Sequence, residues 1–441
     1  MDAIAAAVAA TPWVDTHEHL LEPATRAAGP GAHALQPCTD FALLFCHYAL
    51  DDLVSAGMPE EARRRLLAPG VPAAEKWAAL EPWWRRCRAT GYLAAVGETL
   101  RLLFGIDPEA LDAGACARIS DAMAEAAARP GFYRRTLERG GVLTCQVNTL
   151  ERGLFMDTSE PDLLLQDLGA GALSTDLDVP ALRRRSGLPV SDLEDFHGVI
   201  DWAFESCGAR AVALKSAAAY GRRLDYAPVS AAAAAPLFAR HLRGDALAPE
   251  ERRALEDHLF RRCLERAQER GLPVKLHCGY YAGTGRMPLG RVRDNASDVC
   301  ALLRDFPEAR FVLMHVGYPY QDEYIALAKH YPNAHIDLCW AWIVNPAATV
   351  RFVREFLCAA PASKLLCFGG DYTTVENVVG HAALARRGLA LALRSLVADG
   401  WLRETPAVDL VPRLMGGNAR DLFGLDAAGR LTRAAGAPAP A

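Results

Sequence analysis

Pro12-Trp13-Val14-Asp15-Thr16-His17-Glu18-His19-Leu20 reads as an apolar strand that ends in His-x-His. Side chains alternate faces along a strand, so His17 and His19 point the same way, about 7 Å apart by strand rise. Two imidazoles so placed can close on one metal ion. Asp15 shares their face one layer deeper, where it can fix an imidazole tautomer or stand as a hydrogen-bonded core acid. Glu18 faces away and reads as a supporting or packing residue.

Working outward, residues 41–130 are mostly helical in pattern, with Trp77, Leu80, Trp83 and Trp84 near helical spacing. Beyond them the pattern changes. Strand-like runs at 141–148, 161–166, 209–216, 273–278, 310–316, 334–338 and 364–369 follow. Helical stretches at 192–207, 249–271, 295–306, 321–330, 347–359 and 378–399 separate the later ones. Strands alternating with helices imply a parallel sheet of βαβ units. With the strand at Trp13 there are eight, and eight such units close most naturally into an α/β (β/α)8 TIM barrel. An open doubly wound sheet would need a glycine-rich phosphate loop after the first strand, and none is present. The expected organisation is one barrel over 1–426, a helical insertion at about 38–135 after the first strand, and an Ala/Gly/Pro-rich tail at 427–441 that frays.

The 441 residues carry a formal charge of -5, and the Arg-rich patches are short and mixed with acids, which argues against nucleic acid as a partner. No apolar run reaches membrane-spanning length, and residues 1–10 lack the basic start of a signal peptide. The 12 cysteines have no CxxC spacing; several, including Cys145, Cys339 and Cys367, sit in apolar strand-like runs. They read as reduced, buried thiols of a cytoplasmic protein. A small-molecule substrate is the expected partner, with a homo-oligomer open.

Three further polar residues end strand-like runs of their own. His277 ends Val274-Lys275-Leu276-His277, His315 ends Phe311-Val312-Leu313-Met314-His315, and Asp371 follows Leu365-Leu366-Cys367-Phe368-Gly369-Gly370. In a parallel barrel all C-terminal strand ends meet at one rim. There His17, His19 and His277 supply neutral nitrogens and Asp371 an anionic oxygen, a set that suits Zn(II) and also Mn(II), Fe(II) or Co(II).

These motifs resemble the amidohydrolase superfamily, in its amidohydrolase-2 branch. The likeness covers nearly the whole chain outside the insertion: Val14 to His19, Leu214-Lys215-Ser216 with Ala219-Tyr220, Leu276-His277-Cys278-Gly279, His315-Val316-Gly317-Tyr318-Pro319-Tyr320, Gly370-Asp371, and the closing Gly417 to Leu425. The spacing is most similar to FluG N-terminal and nodulin-like members. Within the insertion, His47-Tyr48 and Leu102-Leu103-Phe104-Gly105-Ile106 resemble uronate isomerases.

The resemblance implies roles. His17, His19 and His277 would bind the metal, His315 would polarise the substrate or shuttle a proton, and Asp371 would touch the metal and take a proton from water. Lys215 would bridge two ions if carboxylated, or hold a substrate carboxylate, so one or two ions are open. Arg222, Arg223, Arg286 and Arg293 are candidates to grip an anionic substrate. Tyr220, Tyr280, Tyr318 and Trp340 are candidate pocket walls, and His47 is a candidate contact from the insertion. The leading expectation is a metal-dependent hydrolase that cleaves a C–N bond in a small carboxylated molecule. Uronate isomerisation is the alternative, although Gly370-Asp371-Tyr372 lacks the Asp-Ser-Arg run of that family. Non-oxidative decarboxylation is another. A binding protein on a dead barrel fits poorly with an intact ligand set.

Overall fold

A computed structural model describes residues 2–432; part of the tail expected at 427–441 therefore lies outside the described residues. Eight strands run in chain order: β1 (Trp13–Glu18), β2 (Val142–Val147), β3 (Leu164–Gln166 continuing as Leu168–Gly169), β4 (Leu214–Ser216), β5 (Val274–His277), β6 (Phe311–Met314), β7 (Ala334–Asp337) and β8 (Leu365–Leu366). Each pairs in parallel with the next. Strand β3 is broken only at Asp167, whose own N–H still donates to the Val147 carbonyl at 2.9 Å.

The circle closes at β1. Thr16 N–H donates to the Phe368 carbonyl (3.0 Å), Asp371 N–H to the His17 carbonyl (2.9 Å) and His19 N–H to the Tyr372 carbonyl (2.9 Å). The chain leaving β8 is thus the eighth wall of a TIM barrel. Its backbone groups are satisfied by the first strand, which leaves no open sheet edge.

The outer helices form for local reasons. In Leu193–Ser206, Leu193, Phe196, Val199, Ile200, Ala203 and Phe204 are buried at helical spacing, and the Asp192 side chain caps the first turn by accepting from Asp195 N–H. Asn345 caps Pro346–Ala359 in the same way, with Pro346 at the first helical position. Among the described residues no helix is long and apolar enough to cross a membrane.

Between β1 and β2 the chain is almost entirely helical, from Pro23–Ala27 to Phe132–Arg139. Its helix Gly91–Phe104 lies backbone-close against Val375–Ala398, the helix that follows β8. A Cβ on Gly380 would stand 2.0 Å from the Ala95 carbonyl oxygen, so only glycine permits that approach. This docking brings the start of the helix Tyr48–Ser55 over the barrel mouth.

The barrel interior is unusually polar. Asp15, Glu18, Gln146, Asp167, Lys275 and Asp337 are all buried. Lys275 Nζ meets Asp167 Oδ1 at 2.9 Å with both side chains fully buried, so each charge has its partner.

Candidate metal centre

His17 and His19 leave β1 on one face, and Asp371 leaves β8 beside them through the closing backbone bonds. His17 Nε2 stands 3.0 Å and His19 Nε2 3.3 Å from the same oxygen, Asp371 Oδ1. His19 Nδ1 lies 2.7 Å from the Asn148 carbonyl. A carbonyl only accepts, so Nδ1 carries a proton and Nε2 is the nitrogen turned toward the carboxylate oxygen. Two imidazole nitrogens meeting one carboxylate oxygen make a place where a cation can be shared. Asp371 Oδ1 and His17 Nδ1 are moreover buried without a hydrogen-bond partner.

The electrostatics agree. Burial holds His17 well below the ordinary histidine range, so its ring is neutral. Burial pushes the Asp371 carboxyl up, but the two imidazoles beside it outweigh that and hold it well below the usual carboxylate range. Imidazole nitrogens facing an ionised carboxylate are a donor set for a divalent cation.

The backbone carrying Asp371 is clamped from below. Asp15 Oδ1 accepts from His17 N–H (3.0 Å) and Gly370 N–H (3.3 Å), and Glu18 Oε2 accepts from Tyr372 N–H (2.6 Å). Of the two roles the sequence left open, Asp15 thus takes that of a hydrogen-bonded core acid: it holds main chain and no imidazole. A Cβ on Gly370 would fall 1.8 Å from Glu18 Oε1, so this turn requires glycine. Burial raises the Asp15 carboxyl to about 7 and Glu18 well above the usual range.

His277 and His315 form a second unit. His277 Nδ1 and His315 Nε2 are 2.9 Å apart, His277 Nε2 faces the Tyr280 carbonyl at 2.8 Å, and His315 Nδ1 faces the Cys339 carbonyl at 3.1 Å. Both outer nitrogens must donate, so a third proton is needed for the inner contact. Burial opposes that charge, lowering His277 strongly and His315 to about 4. The dyad has hydrogen-bonding places for three protons in surroundings that favour two. Both nitrogens of His277, expected as a ligand, are thus engaged, one by the Tyr280 carbonyl and one by His315.

From the insertion, Tyr48 donates its hydroxyl to Asp371 Oδ2 at 2.5 Å. Its ring stacks on His47 (3.8 Å between centroids) and Trp340 (4.4 Å). Tyr48 was not among the expected site residues; its pairing with His47 in the insertion was the only signal. His47, His315, Val316, Trp340 and Asp371 are the non-glycine residues with positive φ among those described, and all but Val316 are named here. Left-handed backbone at such residues costs energy, and its concentration at one place marks a site that the surrounding fold holds in shape.

A cavity of about 780 Å³ opens beside the centre, lined among others by His19, His47, Tyr48, Asn148, Lys215, Tyr220, Arg222, Glu256, His277 and Asp371. Among the described residues the buried Lys215 Nζ has only the Met314 sulfur within bonding distance, at 3.0 Å, and burial lowers its pKa. Arg222 reaches the cavity already paired with Glu256 (3.0 Å) and Asp257, its guanidinium stacked over Tyr226. Arg223 is bound to Asp298, and Arg293 lies beside Asp294 at the surface. Arg286 is exposed and outside the cavity lining. Tyr220 lines the cavity with its ring tilted against His277, 4.6 Å between centroids, whereas Tyr318 binds Asn345 and Trp340 is buried beneath Tyr48, both outside the lining.

A closed parallel barrel with histidines and an aspartate gathered at the C-terminal strand ends is the architecture of metal-dependent amidohydrolase-fold proteins. The chain belongs to the amidohydrolase family, whose Amidohydro_2 profile matches residues 189–425. Protein fluG of Emericella nidulans is 31% identical over 122 residues, covering 26% of this chain and 14% of that protein. In fold, the chain is similar to glucuronate isomerase from Caulobacter crescentus (TM-score 0.74, 18% identity, 99% and 95% of the two chains covered). It is likewise similar to uronate isomerase from Thermotoga maritima (TM-score 0.74, 15% identity, 95% and 96% covered).

Proposed function

We propose that the protein is a metal-dependent hydrolase of a small polar molecule, with His17, His19 and Asp371 holding one divalent cation, zinc by preference. The observation that carries this reading is the convergence of His17 Nε2 and His19 Nε2, at 3.0 and 3.3 Å, on one buried oxygen, Asp371 Oδ1. A divalent cation there supplies Lewis acidity and lowers the pKa of a water it binds to roughly 7.

The chain's own residues would do the rest. Asp371 takes a proton from the attacking water and returns it to the leaving nitrogen. Tyr48 keeps Oδ2 occupied, so that Oδ1 is the oxygen that works. The His277–His315 dyad, beside the cavity, has room for one transient proton. Lys215 is the one cation of the cavity lining without an acidic partner among the described residues, and it is the natural contact for a substrate carboxylate. Arg222 is compensated by Glu256 and Asp257 and would serve as wall. A carboxylated Lys215 bridging a second ion remains the alternative use of that amine.

A second reading, aldose–ketose isomerisation of a uronate, is favoured by Tyr48. Its hydroxyl and the Asp371 carboxylate form a ready pair for moving a proton between neighbouring carbons.

One experiment tests both. Purified, zinc-loaded protein is incubated with a panel of amides and γ-glutamyl conjugates, and separately with glucuronate. Amine or ammonia release supports hydrolysis; fructuronate formation without amide turnover replaces it with isomerisation.

A further inference from the structure

The floor of the centre carries a group that none of these roles uses. Cys339 is fully buried two residues beyond β7. Its sulfur, a ring nitrogen of His17 and a carboxylate oxygen of Asp371 all lie within 4.8 Å of one another. Among the described residues the thiol makes no hydrogen bond.

The backbone fixes where the thiol points. Cys339 N–H donates to Asp337 Oδ1 at 2.9 Å, and the Cys339 carbonyl receives the His315 Nδ1 proton at 3.1 Å. The chain then turns through the left-handed Trp340, at φ 66°. Gly369 on the neighbouring wall leaves room for the side chain, since a Cβ there would stand 2.8 Å from Cys339 Cβ and 3.0 Å from its sulfur. Independently, Asp371 Oδ1, the oxygen that His17 and His19 face, is a buried polar atom without a hydrogen-bond partner among the described residues. The sulfur, the His17 nitrogen and the Asp371 oxygen form a three-donor cluster, and His19 Nε2 joins the same carboxylate at 3.3 Å. In tetrahedral zinc sites donors stand roughly 3.3–3.6 Å apart, so toward His17 and Asp371 the sulfur needs to close by little more than 1 Å at most.

We propose that Cys339 is a thiolate ligand of the cation held by His17, His19 and Asp371. This rests on the reading that those three residues bind a divalent metal. On binding, the thiol proton passes to solvent as the sulfur–metal bond forms, and nothing is oxidised or reduced. A soft donor in the set selects Zn(II) or Co(II) over Mn(II) or Mg(II). The centre would then differ from an all-nitrogen-and-oxygen site in which metal it keeps.

Cobalt and zinc loading test this without relying on turnover. The cobalt-loaded protein should hold one ion per chain and show a sulfur-to-cobalt charge-transfer band in the near ultraviolet. Cys339→Ala should lose the band, and Cys145→Ala, in the neighbouring barrel layer, should keep it. Zinc affinity of Cys339→Ala should fall by roughly the 10–100-fold that loss of a supporting group costs, or more. X-ray absorption of the zinc-loaded wild type needs no variant; it should show one sulfur at about 2.3 Å among nearer nitrogen and oxygen ligands. One ion per chain with only nitrogen and oxygen neighbours and no charge-transfer band overturns the sulfur ligand and leaves the histidine–aspartate centre standing. Failure to retain any divalent ion overturns that centre, and the proposal with it.

Discussion

Tyr48 and Asp371, 323 positions apart in the chain, meet through a 2.5 Å hydrogen bond from the phenol to Oδ2 of the carboxylate. The helical insertion therefore supplies part of the centre and does more than roof it. Burial holds the Tyr48 phenol well above its ordinary range, so near neutral pH it is a donor.

Tyr48→Phe removes one hydrogen bond and keeps the stack on His47 and Trp340. We expect metal content to stay at the wild-type level while kcat falls roughly 10–100-fold, as for other groups that orient a ligand. Metal analysis beside steady-state kinetics on whichever substrate turns over checks this. Loss of the metal together with activity would instead make Tyr48 part of the binding site.

His17→Ala and His277→Ala should part company. The first removes a nitrogen 3.0 Å from Asp371 Oδ1 and should abolish stoichiometric metal binding. The second breaks the dyad with His315, whose inner contact is 2.9 Å, and should spare the metal while turnover drops on the order of a hundredfold or more. Metal-to-protein ratios after dialysis decide; a metal-free His277→Ala protein would return His277 to the ligand set.

Asp337 governs a pH effect on stability. Burial raises its carboxyl to about 7 from the ordinary 3.8. The folded protein thus binds a proton that the unfolded chain releases, so this contribution is fully present below about pH 4, is lost as pH rises toward 7, and is constant above. The ceiling is roughly 4 kcal/mol, from three pKa steps. Thr16 Oγ lies 2.8 Å from both Asp337 Oδ2 and the Phe368 carbonyl, so with its own proton on Phe368 it can accept one from a protonated Asp337. Asn mimics that form. Asp337→Asn should flatten the stability profile between pH 4 and 7, measured by urea unfolding; an unchanged slope would remove Asp337 as its source.

Gly380→Ala probes the docking of the insertion. The new methyl would sit 2.0 Å from the Ala95 carbonyl oxygen. We expect a loss of about 1–3 kcal/mol despite the better helix propensity of alanine. Because Tyr48 rides on the same insertion, activity should fall further than metal binding. Thermal unfolding and kinetics together test this, and a stabilised variant would show the helices free to separate.

Much of this was legible in the sequence. Short apolar runs ending in His17, His277, His315 and Asp371 are strong signals, because strands buried on both faces leave few polar residues except at their ends. The short run near Leu164 was also readable, although its continuation through Asp167 to Gly169 was not, since the break is held by Lys275 more than a hundred residues away. Tyr48 was hidden for a different reason. Its surroundings have helical spacing, and nothing local says that the chain turns through a left-handed His47 to drop the ring into the mouth. The fate of Arg222 depended on Glu256 and Asp257, which in sequence look like a solvated face of a charged helix. The helix Ala231–Leu242 escaped notice altogether, because an alanine run with Pro236 inside it has little apolar periodicity.

The seam between the first and last strands carries one more implication. The amide of Asp371 that bonds to His17 is both a rung of the closing ladder and the mooring of the carboxylate. A nascent or partly unravelled chain therefore has no assembled centre to capture stray cations or act on stray solutes. Ion uptake then becomes a timestamp for the last event of maturation, and a pulse of coloured cobalt added during refolding would register when the ring is complete.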